Sequence, residues 1–420
     1  MKLTIITSLF LLFTLDAWAA GYQLRYQGAE AMGTSFASQG TYGTSLSSVY
    51  YNPALFLKQG KKRAFAVELM SIIPTEAEFT SSATNTTYDD FADTTFSGAL
   101  FFGYKIDDTT AFTLALTTPW ATDTEYADDW EGQFAAIKTQ LRTFNLQPVI
   151  SKALNDKWAI SVGPQIQLAQ GTLSSRIPPG VTGQAGIDGE ILELDGDHLG
   201  VGAVLAVTYT PNDHLVFNLT YNSQIRHSIN GDVSIDSALG LESDAQAEIY
   251  TPDVINLGVS HIYNEKWVSH FNFSYTNWSL FRNFDVENSP SGNPAADIAA
   301  GELPFNVPNV PQNWQDTYFV AMGATYNANA NWTFRGGVSY ETSAVENEDR
   351  TPRTQDSDRI GVGLGTSYRI SQVLNLDFGI NQIIYLGDIE LEPSADLPLN
   401  PTGEYDTAAT LARVGLEYVF

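Results

Sequence analysis

The chain has 420 residues, 48 of them acidic and 21 basic, for a formal net charge of −27, and it contains no cysteine. That balance excludes nucleic-acid binding, which needs clustered Lys and Arg against phosphate, and it works against an anionic inner-leaflet surface. Without thiols there are no disulfides, thiolate zinc sites, cysteine nucleophiles or iron–sulfur clusters, and 12% aromatic with only 16% charged residues is not the composition of a disordered chain.

Lys2 opens an apolar run from Leu3 to Leu15, and Ala17-Trp18-Ala19 puts small residues at the −3 and −1 positions of a cleavage site. This predicts a secretory signal peptide over residues 1–19, with the mature chain starting at Ala20 or Gly21. The run is shorter than the roughly 20 apolar residues a spanning helix needs, and no later run matches it. An exported chain of this kind is periplasmic, secreted or an outer-membrane barrel.

Residues 20–60 are rich in Gly, Ala, Ser and Thr and lack period-two patterning. Small residues suit close packing in a confined space, and Leu24, Met32, Phe36, Leu46, Val49, Tyr50 and Tyr51 need burial. We expect a compact hatch here, filling a lumen, and not a flexible linker.

From residue 61 to 420 the pattern alternates. Phe271, Phe273 and Tyr275 oppose Asn272 and Ser274; Leu374, Leu376, Phe378 and Ile380 oppose Asn375, Asp377 and Gly379; Leu416, Tyr418 and Phe420 oppose Gly415, Glu417 and Val419, with Arg413 on the side of Glu417. Period two places one set on each face of a sheet. The polar set is Asn, Asp, Arg and Gly more than Lys and Glu, which fits a close-packed polar lumen with lipid on the apolar side. Strands are predicted near 62–74, 96–106, 110–121, 139–152, 156–171, 197–210, 213–235, 248–262, 266–281, 314–327, 331–345, 358–370, 373–389 and 405–420. Tight Asn/Asp-rich turns such as Asp107-Asp108-Thr109 and Pro211-Asn212 alternate with long stretches near 75–95, 122–138, 172–196, 236–247, 282–313, 346–357 and 390–404. The expected fold is therefore all-β: a 14-stranded antiparallel transmembrane barrel, short turns on one side and long loops on the other, with an N-terminal hatch. A Greek-key sandwich would not alternate so regularly.

Several segments together carry a family resemblance. They are Gly21-Tyr22-Gln23-Leu24 and the glycine-spaced stretch to Asn52-Pro53-Ala54; Thr251-Pro252-Asp253 with Leu257-Gly258; Tyr275-Thr276-Asn277-Trp278-Ser279; and Asn313-Trp314-Gln315-Asp316-Thr317-Tyr318. To these add Asn331-Trp332-Thr333-Phe334-Arg335-Gly336-Gly337 and Asp358-Arg359. In this order, over essentially the whole mature chain, they resemble the long-chain fatty-acid transporters of Gram-negative outer membranes (the FadL family), which include transporters of toluene and related hydrocarbons. The resemblance implies surface capture of hydrophobic molecules, an internal pocket, and release through the barrel wall where the third strand kinks inward. It also implies a monomer in outer-membrane lipid and lipopolysaccharide, inserted by the barrel assembly machinery, with the terminal Phe420 on its assembly strand.

In this chain the third strand ends Leu116-Thr117-Thr118-Pro119-Trp120. Proline gives no N–H to a ladder, so Thr118 and Pro119 are the candidate lateral-exit kink; an ordinary strand end reads equally well. Fatty-acid members hold the carboxylate with basic residues. Arg176 matches one such position and can make paired hydrogen bonds, whereas the second falls at Gln315, which carries no charge and leaves neutral hydrocarbons open. Phe101, Phe102, Trp120, Trp130 and Phe134 are the candidate apolar contacts. Asp188, Glu190, Glu193, Asp195 and Asp197 form an acidic loop without EF-hand spacing, read as a solvated loop facing divalent-rich lipopolysaccharide. No Gly-x-Ser-x-Gly occurs, and no catalytic residue, metal site or cofactor is assigned. The alternatives to a fatty-acid transporter are a hydrocarbon channel and a general diffusion porin, with an outer-membrane phospholipase more remote.

Overall fold

The structure is a computed structural model that describes residues 21–420 except 90, 181 and 185. The export signal predicted over 1–19 lies outside the described residues. Fourteen antiparallel strands close into a barrel. In chain order they are β1 (Arg63–Ser81), β2 (Thr95–Asp107), β3 (Thr110–Thr117, resuming as Ala121–Glu125), β4 (Lys138–Ala153) and β5 (Trp158–Arg176). Then come β6 (Ile191–Asn212), β7 (Leu215–Asn222 and Ile225–Asp236), β8 (Leu241–Thr251 and Val254–Ile262), β9 (Trp267–Thr276) and β10 (Thr317–Asn327). The last four are β11 (Trp332–Glu341), β12 (Arg359–Arg369), β13 (Leu374–Tyr385) and β14 (Gly403–Val419). The barrel closes by pairing β1 with β14 from Ala64↔Val419 to Ser81↔Gly403. Closure satisfies the backbone without a free edge, which a bilayer requires.

The period-two faces sort as the alternation implies. Phe65, Leu69, Phe271, Phe334, Phe378, Leu416 and Tyr418 are exposed on the outside. Asn272, Ser274, Asp377, Arg413 and Glu417 are buried on the inside. Trp158 against Tyr209 and Trp332 against Tyr368 stack beside the short turns, where an aromatic girdle marks the membrane interface. Several strands are long; β6 has 22 residues, so the wall continues past the apolar band.

Four predicted strands differ from the structure. The third, seventh and eighth are each interrupted, at Thr118–Trp120, at Ser223-Gln224 and at Pro252-Asp253. The stretch predicted as strand 266–281 leaves the wall at Thr276, and Trp278–Leu280 form a 3₁₀ turn. Trp278 and Trp314 thus belong to the loop between β9 and β10, and both are buried.

Residues 21–56 pack inside the barrel and are almost entirely buried, while 57–62 emerge toward the short-turn side. Ion pairs fasten them to the wall: Arg25 to Glu341, Glu30 to Arg335 at 2.5 Å, and Lys61 to Glu417 at 2.6 Å. Asn52 donates to Gly40 O at 2.7 Å and Thr208 Oγ1 at 2.9 Å, and Thr220 Oγ1 donates to Tyr51 O at 2.9 Å. Where the segment's backbone presses on the wall, the wall is glycine. A Cβ at Gly363 would lie 2.5 Å from Met32 O, and one at Gly379 would lie 2.4 Å from Ala29 O. Close approach of two backbones demands the missing side chain.

Candidate functional site: two apolar cavities, a half-buried arginine and a broken strand

Two cavities lie above the N-terminal segment, toward the long loops. The inner one, about 110 Å³, is lined by Tyr22, Leu141, Leu173, Ile229, Ala247, Phe281 and Trp314 among others. It is smaller than the void of roughly 150 Å³ that binds benzene, so the inner cavity alone has room for no more than a single ring or a short acyl segment. The outer cavity, about 560 Å³, is lined by Phe134, Ile177, Leu192, Phe305, Val307, Leu397 and Leu399, with several prolines of the loops. Both are mainly apolar, as a site for an uncharged hydrocarbon surface should be.

Arg353 lines both cavities. It sits in the loop between β11 and β12, and its Nη1 donates to Lys138 O at 2.8 Å and Thr139 Oγ1 at 3.1 Å, its Nη2 to Ser174 O at 3.1 Å. Among the described residues it forms no ion pair with a carboxylate. Burial pushes its guanidinium down to about 10, so it remains a cation at neutral pH. A guanidinium has five N–H donors; three are engaged, which leaves the Nε–H and one Nη2–H.

The predicted site residues fall in different places. Arg176, at the end of β5, lines the outer cavity, and its guanidinium donates to Gly189 O at 2.5 Å and Asp128 O at 3.2 Å. Phe134 is beside it in the same cavity. Gln315 is exposed and lines neither cavity; Gln312, three positions earlier, is buried and lines the inner one. Asn313 takes a left-handed backbone with φ 48°, Trp314 turns in toward Tyr22 with ring centroids 5.4 Å apart, and Gln315 faces out. Phe101 points inward, but below the cavities, packed with Leu46, Val49 and Phe56 of the N-terminal segment. Phe102 shares the outward-facing side of the wall with Phe65 and Leu114. Trp130 stacks on Tyr126 at 4.0 Å in a separate cluster. In the acidic loop, Asp188 accepts from the N–H of Gly180, Thr182 and Gly183 and from Thr182 Oγ1. Those bonds hold its carboxyl below the usual range.

Trp120 belongs to an aromatic group that walls the inner cavity from the barrel side. Tyr22 sits at its centre, 6.1 Å from Trp120, 4.7 Å from Trp278 and 5.9 Å from Phe281, edge-on to each. Beyond Trp120 the wall is open on one side. β3 pairs with β2 only as far as Leu100↔Leu116, and its upper piece pairs with β4 alone, from Ala121↔Arg142 to Glu125↔Lys138. The upper end of β2, Thr95 to Ala99, keeps β1 but has no β3 partner. At the break the N-terminal segment takes over: Leu24 N donates to Pro119 O at 2.7 Å, Ala121 N to Tyr22 O at 2.9 Å, and Gln27 Nε2 to Thr118 O at 2.7 Å.

Comparison with known proteins agrees with this architecture. A family model described as outer membrane protein transport protein (OMPP1/FadL/TodX) matches residues 10–420. The chain belongs to that family. Among curated relatives, the long-chain fatty acid transport protein of Escherichia coli K12 is 25% identical, covering 88% of this chain and 89% of its own length. Outer membrane protein P1 of Haemophilus influenzae is 22% identical over 99% of both. Among solved structures, a Pseudomonas aeruginosa FadL homologue superposes with a TM-score of 0.81 at 19% identity, covering 96% of this chain and all of that one. The toluene transporter TbuX of Ralstonia pickettii follows with a TM-score of 0.68 at 17% identity, covering 96% and 99%. These likenesses place the chain in the Gram-negative outer membrane as a transport protein and not an enzyme.

Tyr22 and Trp314 lie in segments the sequence had already singled out. Arg353 does not. The one trace it leaves in the sequence is a basic residue in a long loop of a strongly acidic chain, and only the fold brings it over the cavities.

Proposed function

We propose that the protein takes up hydrophobic molecules across the outer membrane, and that long-chain fatty acids are its preferred cargo. The observation that carries this is Arg353: a half-buried cation with two N–H donors the protein does not engage and, among the described residues, no ion pair, lining both apolar cavities. A partly desolvated, unpaired charge is costly, and a ligand carboxylate would relieve it with a bidentate, charge-assisted contact. Arg176 at the outer cavity is the first basic contact for the incoming headgroup. The outer cavity receives the acyl chain; the inner one holds its end.

The rest of the path follows from the geometry. Residues 21–60 act as the hatch that denies water a continuous pore, which argues against a general porin. Tyr22 and Trp120 separate the inner cavity from the gap beside Thr118 and Pro119, and cargo leaves there into the bilayer between β2 and β3. A side exit keeps an apolar solute out of bulk water, whose avoidance is worth about 0.8 kcal/mol per methylene. A second reading, neutral aromatic hydrocarbons, is favoured by the small size of the inner cavity, which is nearer to one ring than to a long acyl chain. The test is uptake of labelled oleate and labelled toluene by cells lacking their own transporter. Oleate uptake above the vector control supports the fatty-acid reading; toluene uptake alone moves the protein to hydrocarbons; neither would overturn both.

A further inference from the structure

The ladder between β6 and β7 also lapses, over a longer stretch than the three residues unpaired between β4 and β5. β6 pairs with the lower piece of β7 up to Val204↔Asn222 and with its upper piece from Asp197↔Asn230 onward. Ser223 still bonds Ala203, through its N–H to Ala203 O at 2.9 Å and by accepting from Ala203 N at 2.8 Å. Between these points His198 to Gly202 have no ladder partner on the β7 side, although β5 pairs with them throughout. A β-bulge leaves a single extra residue unpaired; this stretch is longer. The gap is also at the height of the break in β3. The lower piece of β3 climbs eight residues from a short turn before it stops, and the lower piece of β7 likewise climbs eight.

The gap is stopped from inside. Ile225 and His227 of β7 are buried and lean across the inner face of β6, where the residues are Gly200 and Gly202. A Cβ at Gly200 would fall 2.4 Å from Ile225 Cγ2 and 2.8 Å from His227 Cε1; one at Gly202 would fall 2.7 Å from Ile225 Cγ1. His227 is tethered through Nε2 to Gln167 Oε1 at 2.9 Å, and its Nδ1 faces His198 Nδ1 at 3.4 Å. On the outside, Leu199 and Val201 are 61% and 66% exposed, as expected where the neighbouring strand has drawn inward. Directly above the stopper, Ile229 and Gly196 line the inner cavity.

We propose that this gap is a second side passage from the inner cavity to the bilayer, closed at rest by the side chains of Ile225 and His227. It rests on the uptake reading above, and its cargo is the same uncharged end of a hydrophobic molecule. Ile225 moves to open it; the glycines of β6 give that side chain its seat and leave a smooth sill once it has moved.

The chain has no cysteine, so a double variant Gly202→Cys with Ser223→Cys yields a single possible disulfide. The Cβ position at 202 lies 2.9 Å from Ser223 Oγ, close enough for a bridge. Cells expressing it take up labelled oleate, or toluene if that is the cargo, with and without dithiothreitol. The expected result is uptake at least twofold slower in the oxidised protein, restored by the reductant, with each single variant insensitive to it. Equal rates oxidised and reduced would overturn the passage. Should the double variant fail to assemble, Ile225→Ala decides: faster uptake than the parent is expected, and an unchanged rate overturns the proposal. If the parent itself moves neither compound, it is the uptake reading that fails.

Discussion

Replacing Arg353 with methionine keeps a long side chain at the junction of the cavities and removes its charge. The parent arginine offers the ligand its Nε–H and one Nη2–H, the other three donors being spent on Lys138 O, Thr139 Oγ1 and Ser174 O. A hydrogen bond to a charged group contributes about 1.5–3 kcal/mol net. Counting the fork once, because desolvating the carboxylate offsets its second arm, gives roughly a 10- to 150-fold loss of oleate affinity. Methyl oleate has the same chain without the charge and should change less than about threefold. Trp314 lines the inner cavity, so quenching of tryptophan emission in purified protein reports both titrations. The pH profile follows from the same residue. Burial sets the folded-state value near 10, below the ordinary arginine range. The cation is therefore present through neutral pH and is lost as pH rises through about 10. Oleate affinity should be flat from pH 7 to 9 and fall above that in the parent, while the methionine variant and methyl oleate show no such fall. The same sign makes this partly desolvated charge a cost to the fold, eased above pH 10. Equal losses for acid and ester, or none for either, would refute the assignment.

Arg176→Ser should slow capture of oleate more than it weakens the equilibrium, because the guanidinium lines the outer cavity and already satisfies two carbonyls; stopped-flow rates for oleate and toluene separate the two, and equal slowing of both would remove its role. Gly171→Leu should shorten the preferred ligand. The only atom near a Cβ there is Gln140 O at 3.7 Å, so the new side chain enters the inner cavity; long acyl chains should lose about 1–3 kcal/mol of binding and short ones little, as a titration series of chain lengths would show.

The strands were legible because lipid outside and polar packing inside impose period two on every one of them. Phe271 to Tyr275 and Leu374 to Ile380 are as they appear in the sequence. What escaped was information that belongs to neighbours. Nothing in Ser223-Gln224 marks a break, since the ladder fails there through β6 and its glycines; Pro119 does carry its own mark. Gln315 was matched by resemblance alone, and in the loop before β10 it faces out while Gln312 and Trp314 face in. Phe101 faces inward as its strand demands, yet the N-terminal segment packs over it, and no local pattern tells ligand contact from plug contact. Arg353 acquires meaning only when Lys138, Ser174 and the two cavities converge on it.

The break in β3 and the N-terminal segment form one element, and that gives them opposite signatures. Leu24 N, Gln27 Nε2 and Tyr22 O supply the hydrogen bonds that β2 withholds at Thr118, Pro119 and Ala121. Each of these buried groups would cost about 1–3 kcal/mol if left unmade. Deleting residues 21–27 removes all three partners at once. The upper edge of β2 from Thr95 to Ala99 is free on that side and offers the stranded groups new partners, which draws the strand back toward the ladder even though Pro119 has no N–H to contribute. The truncation should therefore raise ion conductance in planar bilayers, because part of the lumen filling is gone. It should lower uptake of oleate, because the side exit closes. A general pore or a merely leaky barrel would raise both together, and that result would sever the hatch from the exit.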